Sequence, residues 1–149
     1  MNLKDICVLD VATCGRETTV LDAARLMRQH HTGTLIVVDD PQGERTPAGI
    51  VTDRDIVVEV LANELAPATT RVARIMATKL VVGAASEPLS DALERMCAHG
   101  VRRLPVIEHD GRLLGIVTLD DLLRMHAAQA NALAEIVSKE RDHEQRARR

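Results

Sequence analysis

The sequence predicts an α+β fold made of one helix–strand–strand–helix unit used twice and then extended by a long helix. Three observations predict it. The chain has 149 residues, which fits one compact domain or two small ones sharing a core. Shifting the sequence by 69 residues overlays its halves: Val20 on Leu89, Asp22 on Asp91, Ala23 on Ala92, Met27 on Met96, His30 on His99, Leu35 on Leu104 and Val37 on Val106. Apolar residues at helical spacing alternate with short β-branched runs in both halves.

Each element follows from its residues. Thr19 to His30 carries Val20, Ala23, Ala24 and Met27 at helical spacing. Leu35-Ile36-Val37-Val38 reads as a strand, ended by the turn residues Asp39-Asp40-Pro41-Gln42-Gly43. Ala48 to Thr52 is a second strand, and Asp53 to Ala62 returns to helix with Ile56, Val57, Val60 and Leu61 on one side. Three residues then drop out of the register. Gly49-Ile50-Val51-Thr52 meets Gly115-Ile116-Val117-Thr118 at a shift of 66, and Asp55 meets Asp121. The second unit has a helix over Leu89 to His99, a strand over Leu104 to Ile107, the turn His109-Asp110-Gly111, a strand over Leu113 to Val117, and a helix from Leu119. Strands joined by so short a turn pair antiparallel. Unit one spans residues 5–63, a linker containing Pro67 spans 64–73, unit two spans 74–125, and 126–149 extends the last helix. Arg71 to Met76 reads as a short helix leading into unit two. Units of this size bury too little surface alone, so the two pack face to face.

The last helix departs from the repeat. Leu122, His126, Gln129, Leu133, Ile136, Val137 and Glu140 fall at 3–4 spacing, an apolar stripe with polar interruptions. It either packs on the chain's own body or forms a dimer contact. Lys139 to Arg149 holds five basic and three acidic residues and reads as a frayed, solvated tail.

Composition excludes several functions. The sequence contains no Phe, Tyr or Trp. It therefore has no aromatic platform for single-stranded bases, no cage for a quaternary ammonium and no tyrosine acid or base. Nineteen basic and 22 acidic residues give a net charge of −3, which argues against a surface built for nucleic acid. Three cysteines without a C-x-x-C pair argue against a disulfide framework and for a reducing compartment. The start, MNLKDICVLD, lacks the pattern of a signal peptide, and no apolar run approaches a membrane span. A soluble, cytoplasmic protein is expected.

The chemistry concentrates in Gly-Ile-Val-Thr-x-x-Asp, at Gly49 to Asp55 and again at Gly115 to Asp121. A strand ends and a helix begins at each. One reading is a capping box, the Thr hydroxyl capping an amide while the acid answers the helix dipole. The other uses the same geometry for a ligand. A carboxylate at a helix start accepts hydrogen bonds from a vicinal diol such as a ribose, and free amides beside it favour phosphate.

Both units resemble CBS domains, modules named after cystathionine β-synthase, and a tandem pair resembles what is called a Bateman module. The residues that carry the resemblance are Thr13 and Val82 in the opening strands, Ala23/Met27 and Ala92/Met96 in the helices, the Val-Val-Asp and Leu-Pro-Val-Ile strands, and both Gly-Ile-Val-Thr-x-x-Asp motifs. The resemblance covers about Asp5 to Met125. It implies β-α-β-β-α repeats packed through small sheets with pseudo-twofold symmetry. It also implies that Asp55 and Asp121 hold ribose hydroxyls, that Thr52 and Thr118 place ribose or phosphate, and that Thr13 meets the adenine edge. Adenine would lie among aliphatic residues near Ile50 and Ile116. Arg54, Arg102 and Arg103 would handle phosphate, though surface pairing with acids also accounts for Arg102 and Arg103. Neighbours on a strand face opposite ways, so one of these two faces a given ligand. The halves depart from the family pattern differently: unit one has Gly33-Thr34 where unit two has Arg102-Arg103, and unit two has Val82 where unit one has Thr13.

Other candidates are weaker. His30, His31 and His99 with Cys7, Cys14 and Cys97 have ligand chemistry for zinc without a zinc spacing, and Cys97 and His99 face apart on their helix. Neither a catalytic constellation nor a phosphate loop stands out. The function expected is regulatory and not enzymatic. The module would sense an adenosine compound (AMP, ADP, ATP, S-adenosylmethionine or NAD) in the cleft between the repeats, as a homodimer, and pass its state to an effector protein. No metal, nucleic acid or membrane is expected as a partner. The rivals are a protein-interaction module with empty clefts, and a metal or redox sensor.

Overall fold

The computed structural model describes residues 1–40 and 42–148. They form two bodies, Met1–Val117 and the segment from Thr118 onward. The first body holds two three-stranded sheets, one per repeat. Repeat one contains β1 (Thr13–Cys14), α1 (Val20–His30), β2 (Thr34–Asp39), β3 (Thr46–Thr52) and α2, an α turn over Asp53–Asp55 that widens into a π-helical turn over Ile56–Leu61. Repeat two contains β4 (Gly83–Ala84), α3 (Leu89–His99), β5 (Arg103–Ile107) and β6 (Leu113–Thr118). The α+β expectation holds.

In sheet one, β1 runs parallel to β2, with Thr13 opposite Ile36. Strand β3 runs antiparallel to β2, from Thr34 opposite Thr52 to Asp39 opposite Thr46, with a bulge at Val37/Val38. Leu35 to Val38 are all buried, which is why that strand reads as a continuous apolar run and not as an alternating one. Sheet two repeats the parallel pair, with Gly83 opposite Val106. The predicted turn after β2 is organised by Asp40, whose carbonyl and carboxylate accept from the amides of Gly43, Glu44 and Arg45. Its Pro41 lies outside the described residues.

The helices start and stop where local chemistry dictates. Thr19 Oγ1 accepts from the Asp22 amide at 3.1 Å and opens α1. Helix α1 ends on His31 and α3 on Gly100, both in the left-handed region at φ 51° and 62°, a conformation that favours glycine at a helix end. Their buried faces carry Val20, Ala23 and Met27, and Ala92 and Met96. In α2 the expected α-helix gives way to i→i+5 bonding, with the Ala62 amide on the Val57 carbonyl. Ile56, Val57, Val58 and Val60 are β-branched there, the class that crowds an α turn.

The structure adds a reciprocal exchange of leading segments. The 3₁₀ turn Leu3–Asp5 opens the chain, and its equivalent Val72–Arg74 stands 69 residues later. Each packs on the repeat that its own sequence does not lead into. Val8 bridges Ile116 of β6, and Ala77 bridges Ile50 of β3. The Leu3 and Lys4 amides donate to the Glu87 and Ala85 carbonyls, and the Val72 amide donates to the Thr18 carbonyl. Val72 and Met76 join the buried core of repeat one with Cys14, Ala23, Met27, Leu35, Val37 and Val51. The core of repeat one is thereby completed by aliphatic residues from the other leading segment, without aromatic rings.

The second body is α4 (Leu119–Ala147). Leu122 is buried, and every described residue from His126 onward is exposed, including Leu133, Ile136 and Val137. The charged end is helical through Ala147 and not a frayed tail. Its mixed charges fall at helical spacing, as in the Glu135–Lys139 pair at 3.7 Å. No helix of the described residues is long and apolar enough to cross a membrane.

Candidate functional site

The two Gly-Ile-Val-Thr-x-x-Asp motifs sit at equivalent strand-to-helix junctions. In repeat one, Thr52 Oγ1 accepts from the Asp55 amide at 3.2 Å, and Asp55 Oδ2 accepts from the Thr52 amide at 2.8 Å. That is a complete capping box. In the second motif, Thr118 Oγ1 accepts from the Asp121 amide at 3.2 Å, and its hydroxyl donates to Asp121 Oδ2 at 2.6 Å. Arg124 stands 3.6 Å from Asp121 Oδ1. Both carboxylates are partly exposed, so capping holds them in place and still presents them to solvent.

The motif glycines are set by the exchanged segments. A Cβ at Gly49 would stand 2.6 Å from the Ala77 carbonyl oxygen, and one at Gly115 would stand 2.7 Å from the Val8 carbonyl oxygen. Val8 and Ala77 are themselves related by the 69-residue shift. The isoleucines that follow, Ile50 and Ile116, are the bridging partners of these segments.

Arg102 and Arg103 line one cavity of about 160 Å³ together with Ile50, Lys79, Leu80, Val81 and Val101. Strand alternation does not separate the two arginines, because Arg102 precedes β5, which begins at Arg103. The cavity is smaller than the ~300–1,000 Å³ of sites that enclose a drug-sized ligand. It therefore suits a small group and not a whole drug-sized ligand.

The counterpart in repeat one is built differently. Gly33 replaces Arg102, and a Cβ there would stand 2.7 Å from Asp53 Oδ2. The Asp53 amide donates to the Gly33 carbonyl at 3.0 Å, and Asp53 Oδ1 accepts from the Arg54 amide at 2.9 Å. Thr34 replaces Arg103. It is 6% exposed, and its Oγ1 is buried without a hydrogen-bond partner among the described residues. Arg54 is exposed.

Thr13 is not gathered with these groups. It lines a separate cavity of about 550 Å³ at the carboxyl ends of β1 and β2, walled by Arg16, Asp39 and Asp40 among others. Arg16 Nε and Nη2 donate to the two Asp39 carboxylate oxygens at 2.6 and 3.2 Å, and hydrogen bonding by Arg16 holds Asp39 below the usual carboxylate range. The place of Thr18 in repeat one is taken by Glu87 in repeat two. Thr18 Oγ1 accepts from the Gly15 amide, and Glu87 Oε2 accepts from the Ala84 amide and from Arg95 Nη1.

The three cysteines are free thiols. Burial pushes the Cys14 thiol up to about 11 and raises that of Cys7. No group of three or more His, Cys, Asp or Glu among the described residues could hold a metal ion. Sequence reasoning missed Lys79, the placement of Asp53 beside Gly33, and the exchanged segments. The signal was present: the 69-residue shift continues upstream through Leu3/Val72, Cys7/Met76, Val8/Ala77 and Asp10/Lys79.

Comparison with known proteins gives these junctions a lineage. The chain is 39% identical over 121 residues to CBS domain-containing protein YhcV of Bacillus subtilis, covering 81% of this chain and 82% of that one. Its fold matches the crystal structure of Hypoxic Response Protein I with two coordinated zinc ions, at a TM-score of 0.72 and 35% identity, covering 83% of this chain and 98% of that one. It also matches the CBS domain pair of protein MJ0100 in complex with 5′-methylthioadenosine and S-adenosyl-L-methionine, at a TM-score of 0.73 and 25% identity, covering 87% and 98%. The sequence model of the CBS domain matches twice, over residues 3–62 and 72–127, and the chain belongs to the CBS domain family.

Proposed function

We propose that this chain is a regulatory, non-catalytic module that binds an adenosine-containing compound and transmits the bound state to a partner protein. The observation that carries the reading is the duplicated Thr–Asp pair. In each copy a carboxylate is fixed at a helix start by its own capping bonds, yet remains open enough to accept from a ribose diol. Asp55 with Thr52, and Asp121 with Thr118, take that part. Ile50 and Ile116 supply aliphatic contact for the base, and Arg102 and Arg103 supply charge for phosphate. Thr13 takes no part in this site. The MJ0100 pair, a relative of the same fold, was solved with two adenosine compounds, which supports the ligand class. Binding acts on a partner by favouring one arrangement of the module over another.

Self-association into a homodimer is part of the proposal. Val57, Val58 and Leu61 of α2 are 54%, 47% and 58% exposed, and the α4 stripe is exposed as well.

A thermal-shift screen with AMP, ADP, ATP, S-adenosylmethionine and NAD, on wild type and on Asp55→Ala/Asp121→Ala, tests the proposal. A ligand at a hundredfold excess over its Kd should raise Tm by about 5–10 °C, and the double variant should lose that rise. An identical rise in the variant, or none in wild type, overturns the reading.

A further inference from the structure

The two repeats place opposite charge at equivalent positions. We infer that they sort ligands by charge: the repeat-two cavity takes a phosphate-bearing group, while the repeat-one counterpart refuses phosphate and takes an uncharged or cationic nucleoside. The inference rests on the adenosine-binding reading and names the ligand class of each half.

The positions correspond one by one. Lys79, Arg102 and Arg103 line the cavity of repeat two. The 69-residue shift puts Asp10, Gly33 and Thr34 in their places. Three cationic positions thus become one anion and two neutral residues. The carboxylate of Asp53 then occupies the space beside Gly33, within 2.7 Å of where a Cβ would be. Repeat two has Leu119 at the Asp53 position and Asp120 at the Arg54 position, so over these five positions (79, 102, 103, 119 and 120 against 10, 33, 34, 53 and 54) repeat two carries a net +2 and repeat one a net −1. A phosphate entering repeat one would meet the Asp53 carboxylate, whereas the repeat-two cavity is lined by Lys79 and Arg103. Like charges at such range disfavour each other, and the penalty grows as water is excluded.

Repeat one keeps groups that suit a neutral ligand. The buried, unpartnered Oγ1 of Thr34 has hydrogen-bonding capacity that no described residue uses, an arrangement costly unless a partner arrives. Asp53 and Asp55 supply carboxylates for hydroxyl donors or for a cationic centre. The capping motif is present in both halves, so the ribose-holding chemistry is shared and only the charge differs.

Isothermal titration of the full chain with adenosine, ATP and inorganic tripolyphosphate tests this. ATP and tripolyphosphate should each bind at one equivalent per chain, weakening steeply with salt. Lys79→Ala/Arg103→Ala should weaken both by about ten- to a hundredfold, from the loss of charge-assisted hydrogen bonds, and should leave adenosine binding intact. Asp53→Leu, which installs the repeat-two residue, should admit a second equivalent of ATP. Two equivalents of ATP in wild type, equal loss of adenosine and ATP in the double variant, or no second equivalent in Asp53→Leu overturns the charge sorting and leaves the adenosine reading standing. Tripolyphosphate binding that the double variant loses, with no response to adenosine or ATP, overturns the adenosine reading and leaves the anion site standing. If none of the three compounds binds, both fall.

Discussion

Repeat one and repeat two receive the segments that cross into them in the same way, share the Thr–Asp junction, and differ in charge at the positions that line the repeat-two cavity. Leu3 and Val72 are both 0% exposed, each under the partner repeat. Val8 and Ala77 lay equivalent carbonyls against equivalent glycines. Around the cavity of repeat two the halves differ: Lys79, Arg102 and Arg103 stand where Asp10, Gly33 and Thr34 stand in the other half. Packing is held symmetric because each half closes its core with a segment from the other, and a volume change in a close-packed interior is felt by its neighbours. The cavity positions carry no such constraint, so the two copies can diverge there without loss of fold.

The largest test of this comparison attacks the exchange. Leu3→Ala should cost about 2–5 kcal/mol, because Leu3 fills repeat two although it belongs to the start of repeat one. Val72→Ala should cost about 2 kcal/mol, from roughly 0.8 kcal/mol for each buried methylene-sized group. In urea melts followed by circular dichroism and by hydrogen exchange, either change should lower both repeats together. Separate transitions for the two repeats would break the idea that the exchange joins them.

A smaller test asks whether the symmetry extends to the glycines. Gly49→Ala and Gly115→Ala each push a Cβ against a backbone carbonyl, at 2.6 and 2.7 Å. A backbone atom cannot swing aside as a side-chain tip can, so each should cost about 1–3 kcal/mol. The two costs should agree within the error of the denaturant midpoint. A clear inequality would show that one exchanged segment yields more easily than its equivalent.

This comparison also shows what the sequence carried openly. The repeat, the strand runs and the capping motifs were legible because each is local or periodic. Thr52/Asp55 and Thr118/Asp121 could be paired by spacing alone. The exchange was not legible from propensity, since Leu3 and Val72 are single apolar residues in short 3₁₀ turns with no periodicity of their own. Only the register of the repeat, extended upstream, points to them. Thr13 lines a cavity apart from Arg102 and Arg103, and the sequence does not show that for a related reason. Its strand is two residues long, and the cavity it faces is walled by the loop after β2, the same stretch that loses three residues in repeat two. The closeness of Asp53 to Gly33 was not legible, because it depends on a residue twenty positions earlier whose missing side chain leaves room for the carboxylate.

The smallest expected effect separates the hairpin loops of the two halves. Asp39 is held below 3.8 chiefly by the side-chain hydrogen bond from Arg16, which reaches it from the loop before α1. Asp110 is held below 3.8 chiefly by the backbone amide of Arg112, with the Arg112 side chain as a lesser cause. A carboxylate with a depressed folded-state pKa contributes stability above its unfolded pKa and loses it as pH falls through the folded value. Both contributions are therefore complete at neutral pH and fade only below about pH 4. The causes predict different responses to losing the arginine. Arg16→Ala should return the Asp39 titration close to 3.8, as read by carboxylate chemical shifts in NMR. Arg112→Ala should leave Asp110 depressed, because the amide remains after the guanidinium is gone. These groups are exposed, so neither change should move the denaturant midpoint at pH 7 measurably. Equal recovery at both aspartates would mean that the repeat-two loop, like that of repeat one, is held by its arginine side chain and not by the turn itself.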